Sequence, residues 1–277
     1  MGERWLWEPE VAGSSPVAPR VRSSAGQSKG FLIPRSGVRV PPDPLVFIHG
    51  FGFSSEVFKA FPGVKIDLPF HGNSKLKNKS LRALAQEIAI RIPNNSTVVG
   101  WSMGGTLALL LALLFPSKVK VLLLIGATAC FPCLWDRKNL KGFLLRLRKE
   151  REEFLKEFRE RAYPKPFDVK VELEGAIELL EDYFSTDLRS YVPHINKPIL
   201  LLHGTEDPIV PLGGTIELYN LSKRAKLITF AGGHFPENEA IIFEVLKGIE
   251  HLRRLGDPSR AECGDFKALR HDRGLGP

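Results

Sequence analysis

Six short apolar runs punctuate residues 45–255, with segments of helical period between several of them. Leu45-Val46-Phe47-Ile48 ends at His49-Gly50 and reads as a buried strand. Val64 to Asp67 gives a second, stopped by Pro69, and Thr97-Val98-Val99 a third that leads into Gly100. Val119 to Ile125 is the fourth and longest; Ile199 to Leu202 and Ala225 to Phe230 are the fifth and sixth. Leu81, Leu84, Ile88 and Ile92 recur at helical spacing, so a helix is expected from Ser80 to Ile92 with Ser80 as N-cap. Met103 to Phe115 is apolar nearly all round and predicts a buried helix; Pro236 to Leu255 predicts an amphipathic one. Strands alternating with helices argue an α/β chain whose parallel-dominated sheet carries helices on both faces.

The strand rhythm stops between residues 128 and 188. Leu144, Leu147, Phe154 and Phe158 supply the apolar stripe of a charged helix there, Pro164 and Pro166 break it, and a second helix is expected around Gly175 to Tyr183. An insertion between two strands of a parallel sheet predicts a helical lid over the carboxyl edge, where ligands bind in such folds. The α/β core is then 45–127 and 189–255. Residues 256–277 are aperiodic and are expected to be a disordered tail. Residues 1–44 resemble the conceptual translation of transfer-RNA genes: the T-loop consensus reads Gly13-Ser14-Ser15-Pro16 in one frame and Val38-Arg39-Val40-Pro41 in the next. That leader is expected to be disordered or artefactual, with the natural start near Leu45.

Composition adds exclusions. With 43% hydrophobic and 25% charged residues the chain sits in the globular range, and no apolar stretch is long enough for a membrane span. Three Cys and no secretory pattern point to a reducing compartment, hence a cytoplasmic protein. Cys130 and Cys133 form a C-x-x-C that no second pair completes into a zinc site, and they are read as packing at the lid base. The net charge of +8 is segregated: residues 137–165 hold eleven Lys or Arg against five Glu, residues 167–187 one Lys against seven acids. No nucleic-acid motif accompanies it, so no nucleic acid or membrane is expected as partner, and a monomer is. Solvated helix faces are the plain reading of such runs.

Gly100-Trp101-Ser102-Met103-Gly104 fits G-x-S-x-G between a predicted strand and a predicted helix, the context of a nucleophile elbow. A Ser hydroxyl needs a base, and the base an orienting acid, in the order Ser, Asp or Glu, His. Asp207, with Glu206 as competitor, follows the fifth strand, and His234 follows the sixth. His203 is read as packed structure. His49-Gly50-Phe51-Gly52 follows the first strand, where the backbone N–H of Phe51 would join that of Met103 as oxyanion donors. His49 is expected to stabilise that loop rather than to react.

With these residues in view, 45–255 resembles the α/β-hydrolases, and in particular the pimeloyl-carrier-protein methyl ester esterases of biotin synthesis. Asp67-Leu68-Pro69 followed by Gly72 and Ser74, the elbow's second Gly105, Cys130-Phe131, Asp187-Leu188-Arg189 and Gly204-x-x-Asp207 carry the likeness beyond the elbow. The resemblance implies a Ser102–Asp207–His234 triad, ester-carbonyl binding by Phe51 and Met103, and acyl contacts in the lid, for which Phe154 and Phe158 are the candidates. It implies no metal or organic cofactor, and an acidic acyl carrier protein docked on basic lid residues. The expected activity is a serine carboxylesterase acting on the methyl ester of pimeloyl-acyl-carrier protein. A generic short-acyl carboxylesterase, a menaquinone-pathway lyase of the same fold and a catalytically silent binding protein are the alternatives.

Overall fold

The computed structural model describes residues 43–254, with side chains to His251. The expectations for 1–42 and for the tail lie outside the described residues. The last two residues of the expected leader belong to the fold: Asp43 pairs with Lys120, and the Pro44 carbonyl accepts from the Thr97 amide at 2.9 Å.

All six expected strands form: β1 (Leu45–Ile48), β2 (Val64–Ile66), β3 (Ser96–Trp101), β4 (Val119–Ile125), β5 (Ile199–Gly204) and β6 (Ala225–Phe230). They make one parallel sheet in the order β2-β1-β3-β4-β5-β6. β1, β3, β4 and β5 are buried almost throughout, which explains why they read as unbroken apolar runs.

The strand order decides where a site can be. The chain steps one way from β1 to β2, then crosses back over β1 to β3 and continues through β4, β5 and β6. Right-handed crossovers therefore put the connections on opposite faces on either side of the β1/β3 boundary. Helices α1 (Leu81–Ala89), α2 (Met103–Leu114) and the later α6 (Leu212–Leu221) serve the β3-to-β6 direction. The closing α7 (Ala240–Arg254) instead stacks Phe243 on Phe61 from the β1–β2 connection, ring centroids 4.2 Å apart. A crevice opens at the carboxyl ends of strands where the order reverses, here between the loops after β1 and β3.

The insertion holds three helices rather than two: α3 (Arg137–Glu150), α4 (Glu152–Ala162) and α5 (Leu173–Tyr183). The expected long helix breaks at Arg151, which turns the chain with φ of 48°. A bond from the Leu188 amide to the Ala129 carbonyl, 2.8 Å, closes the insertion at its neck. Ser80 does occupy the N-cap of α1, but its side chain makes no capping bond; Asp182 of α5 accepts from the Leu81 amide at 2.7 Å instead. The lid thus caps a core helix. Cys130 and Cys133 are not unpaired packing residues. The 3-10 turn Pro132–Leu134 brings them into a disulfide, Cα–Cα 5.4 Å.

Candidate active site

Ser102 stands at the turn from β3 into α2 with φ 57° and ψ −123°, a conformation L residues rarely hold. Such strain costs on the order of 1–3 kcal/mol and persists only where packing enforces it. Here the enforcement is steric and polar. The Ser102 amide donates to the Ile125 carbonyl of β4 at 2.9 Å. Gly104 lies so close to the end of β1 that a Cβ there would meet the Ile48 carbonyl oxygen at 2.3 Å. Gly50 does the same from the other side, a Cβ there falling 3.0 Å from the Ser102 Cβ. The two loops expected to face each other across the crevice therefore do so. Met103 is the first residue of α2, so its amide has no acceptor within the helix and points to the same side as the helix dipole's positive end.

Asp207 and His234 meet below this turn. Asp207 Oδ2 accepts from His234 Nδ1 at 2.7 Å, with both side chains fully buried. The other carboxylate oxygen accepts from the amides of Ile209 and Val210 at 2.8 and 2.9 Å, which fixes the acid's orientation. Glu206 is exposed at the surface, and the acid paired with His234 is Asp207. With Nδ1 committed to Asp207, His234 presents Nε2, which is buried and without a hydrogen-bond partner among the described residues. An unsatisfied buried imidazole nitrogen is the acceptor a general base requires.

Sequence reasoning missed the residue that seats this histidine. Trp101, the x before Ser102, donates its indole N–H to the His234 carbonyl at 3.0 Å and packs on Phe53 and Phe235. It ties the strand that ends before Ser102 to the loop of His234. His203 is fully buried, bonded to the Val210 carbonyl and Thr215, and lies 3.6 Å from Asp207. Burial lowers its pKa, so it surrounds the acid as a neutral group.

The β1 loop is held by side chains. His49 Nδ1 donates to the Gly50 carbonyl at 2.7 Å, while its Nε2 accepts from the Leu68 amide at 2.9 Å. His71 Nδ1 donates to the Pro69 carbonyl, and its Nε2 accepts from the Gly52 amide at 2.9 Å. Each must be neutral to serve as donor and acceptor at once. Burial makes them so, pushing His49 down to about 4 and, with His49 nearby, His71 to about 3.

Above Ser102 the lid leaves an apolar cavity lined by Phe51, Met103, Phe131, Leu140, Phe143, Phe158 and Tyr183. Phe158 lines this cavity. Phe154 does not; it packs behind the lining, edge-on to Phe143 with centroids 4.9 Å apart and beneath the Arg146 guanidinium. The lining residues of α3 and α5 were missed because their apolar spacing is that of any amphipathic helix. Among the described residues, ligand types that could hold a metal converge at Cys130, Cys133 and Asp187, but the two sulfurs are bonded to each other. No described helix is long and apolar enough to cross a membrane.

A serine on a strained elbow, an imidazole with a free nitrogen bonded to a buried carboxylate, and a helix-start amide beside the serine are groups that acyl transfer uses. Comparison with known proteins agrees. The family model described as "Alpha/beta hydrolase family" matches residues 45–240. A pimeloyl-[acyl-carrier protein] methyl ester esterase of Nitrosomonas europaea is 29% identical over 74% of the chain and 95% of its own length. Its counterpart in Aromatoleum aromaticum is 28% identical over 75% of the chain and 99% of its own length. Among solved structures, an esterase from Exiguobacterium antarcticum superposes with a TM-score of 0.65 at 21% identity, covering 76% of this chain and 92% of that one. The enol-lactonase of Burkholderia xenovorans LB400 also gives 0.65, at 18% identity and 78% and 92% coverage. These two establish likeness of fold.

Proposed function

The chain belongs to the alpha/beta hydrolase family, and on that premise we propose that it hydrolyses the methyl ester of a pimeloyl group carried on acyl carrier protein, with Ser102, His234 and Asp207 as its triad. It is a carboxylic ester hydrolase. The observation that carries the triad is the 2.7 Å bond from His234 to Asp207, which leaves Nε2 unpartnered and buried. His234 takes the Ser102 proton as Oγ attacks the ester carbonyl, and the Phe51 and Met103 amides hold the oxyanion. The proton passes to the departing methoxide, methanol leaves, and water repeats the attack to free the acid. The apolar lining of the cavity suits the methylene chain of the acyl group.

A carrier protein would meet the lid. Three basic residues that the sequence offers for docking are occupied: Arg146 pairs with Glu150 and Glu157, Arg148 with Glu181, and Arg151 with Glu174. Lys138, Lys141 and Lys149 are exposed and, with exposed Leu145, share one outer stripe of α3. That stripe supports docking of an acidic partner. The test is release of methanol and free pimeloyl-carrier acid from the carrier-linked ester. Reversing Lys138, Lys141 and Lys149 to Glu should raise KM for that ester several-fold at low salt and leave a p-nitrophenyl ester untouched. Turnover of small esters alone, with the carrier ester inert, would remove the substrate assignment.

A further inference from the structure

Three consecutive peptide units of the β1 loop, 50–51, 51–52 and 52–53, each have one group bound by a side chain, and the third is bound from the lid. His49 holds the Gly50 carbonyl and His71 the Gly52 amide. The Gly52 carbonyl accepts from Arg159 Nε of α4 at 2.6 Å, across 107 positions of sequence. Arg159 is an unusual residue to find there. Its side chain is only 6% exposed, yet its nearest acid, Asp168, is 3.8 Å away and wholly exposed. Its second bond goes to another carbonyl, that of Val169, at 2.7 Å. A buried guanidinium without a buried counter-ion is costly, and burial is what lowers its pKa. The compensation is two carbonyl groups, one of them in the loop facing Ser102. Leu155 and Phe158 of the same helix press on Gly52, where an added Cβ would lie 3.1 Å from Leu155. Phe158 also contacts Phe51 edge-on, centroids 5.9 Å apart, and lines the acyl cavity.

We propose that Arg159 is a positioning residue that aligns the Phe51 amide by fixing the next peptides of the loop, so that the oxyanion hole is complete only when lid helix α4 is seated. This rests on Ser102 and Phe51 acting as proposed above. It makes the lid part of the chemistry as well as of acyl recognition: the helix that touches the acyl chain through Phe158 holds the oxyanion loop one residue later.

The experiment is steady-state kinetics of Arg159→Met and Arg159→Lys on p-nitrophenyl butyrate, with Ser102→Ala alongside. Loss of a whole oxyanion donor costs about 10²–10³ in kcat, and misalignment should cost less. Arg159→Met is expected to lose about 10- to 100-fold in kcat with KM within twofold, and Arg159→Lys to recover part of it. A trifluoromethyl ketone, which mimics the tetrahedral adduct, should weaken by the same factor as kcat, while a carboxylate product inhibitor should not. A merely structural Arg159 would instead lower active-site content, scaling kcat down with no change in inhibitor affinity. That result, a rise in KM alone, or wild-type kinetics in Arg159→Met would overturn the inference. Turnover surviving in Ser102→Ala would overturn the underlying site reading, and the inference with it.

Discussion

The carboxyl edge of the sheet and the lid above it are held by different means. At the β3 elbow and the Asp207 loop of that edge, backbone geometry sets positions: a strained turn, glycines admitting close approach, amides orienting the Asp207 carboxylate. In the lid, side chains do it, through ion pairs such as Arg148 with Glu181 and rings such as Phe143 on Phe154. Backbone devices tolerate few residue types at fixed spacing, whereas ion pairs and ring packing can be made by many sequences. The edge therefore holds residue types common to a family, whereas the lid can vary among its members.

The sharpest break of this comparison is at the edge. Ser102→Ala should reduce p-nitrophenyl ester hydrolysis to background, a loss on the order of 10⁶ such as serine proteases show when their nucleophile is removed, with an unchanged melting temperature. Asp207→Asn should cost about 10⁴ in kcat, because the His234 tautomer is no longer fixed. Glu206→Gln, at an exposed position, should stay within twofold of wild type. Equal damage from the two acid variants would dissolve the assignment of Asp207.

Two lid phenylalanines sharpen the contrast. Phe154→Ala removes a fully buried ring behind the pocket and should destabilise by about 3–5 kcal/mol in urea titrations, with acyl-length preference unchanged. Phe158→Ala should shift that preference, raising KM for hexanoyl over acetyl esters by about tenfold or more, since about 1–3 kcal/mol of apolar contact is lost.

The histidines of the β1 loop act on stability alone, and only at low pH. His49 and His71 ionise near 4 and 3 when folded, against 6.5 when unfolded. Between those values the unfolded chain binds more protons, so stability is full above pH 6.5 and falls as pH drops. Each should contribute a loss on the order of 3 kcal/mol by pH 4. His71→Gln should flatten the urea midpoint's pH dependence over that window; an unaltered slope would mean the ring is protonated in the native protein.

Legibility in the sequence follows the same division. The six strands were readable because buried parallel strands are unbroken apolar runs, and Ser102, Asp207 and His234 because strand ends place them on one edge. Helix α6 was not, since Gly213 and Gly214 near its start hide a helical pattern. The break at Arg151 was invisible because nothing but tertiary packing holds a non-glycine residue at φ 48°. Phe154 and Phe158 could not be told apart by period, although only one reaches the pocket. Arg159 looked like one more solvated base in a charged run, and its burial comes from the loop it binds.

Covalent labelling tests the edge most directly. The full-length protein is treated with a fluorophosphonate, its intact mass is measured, and the modified peptide is sequenced. One phosphonyl group on Ser102, formed in step with loss of esterase activity and absent from His234→Ala, is the predicted result. Label on another residue, or full inactivation with Ser102 unmodified, would contradict the proposed nucleophile and the site built around it.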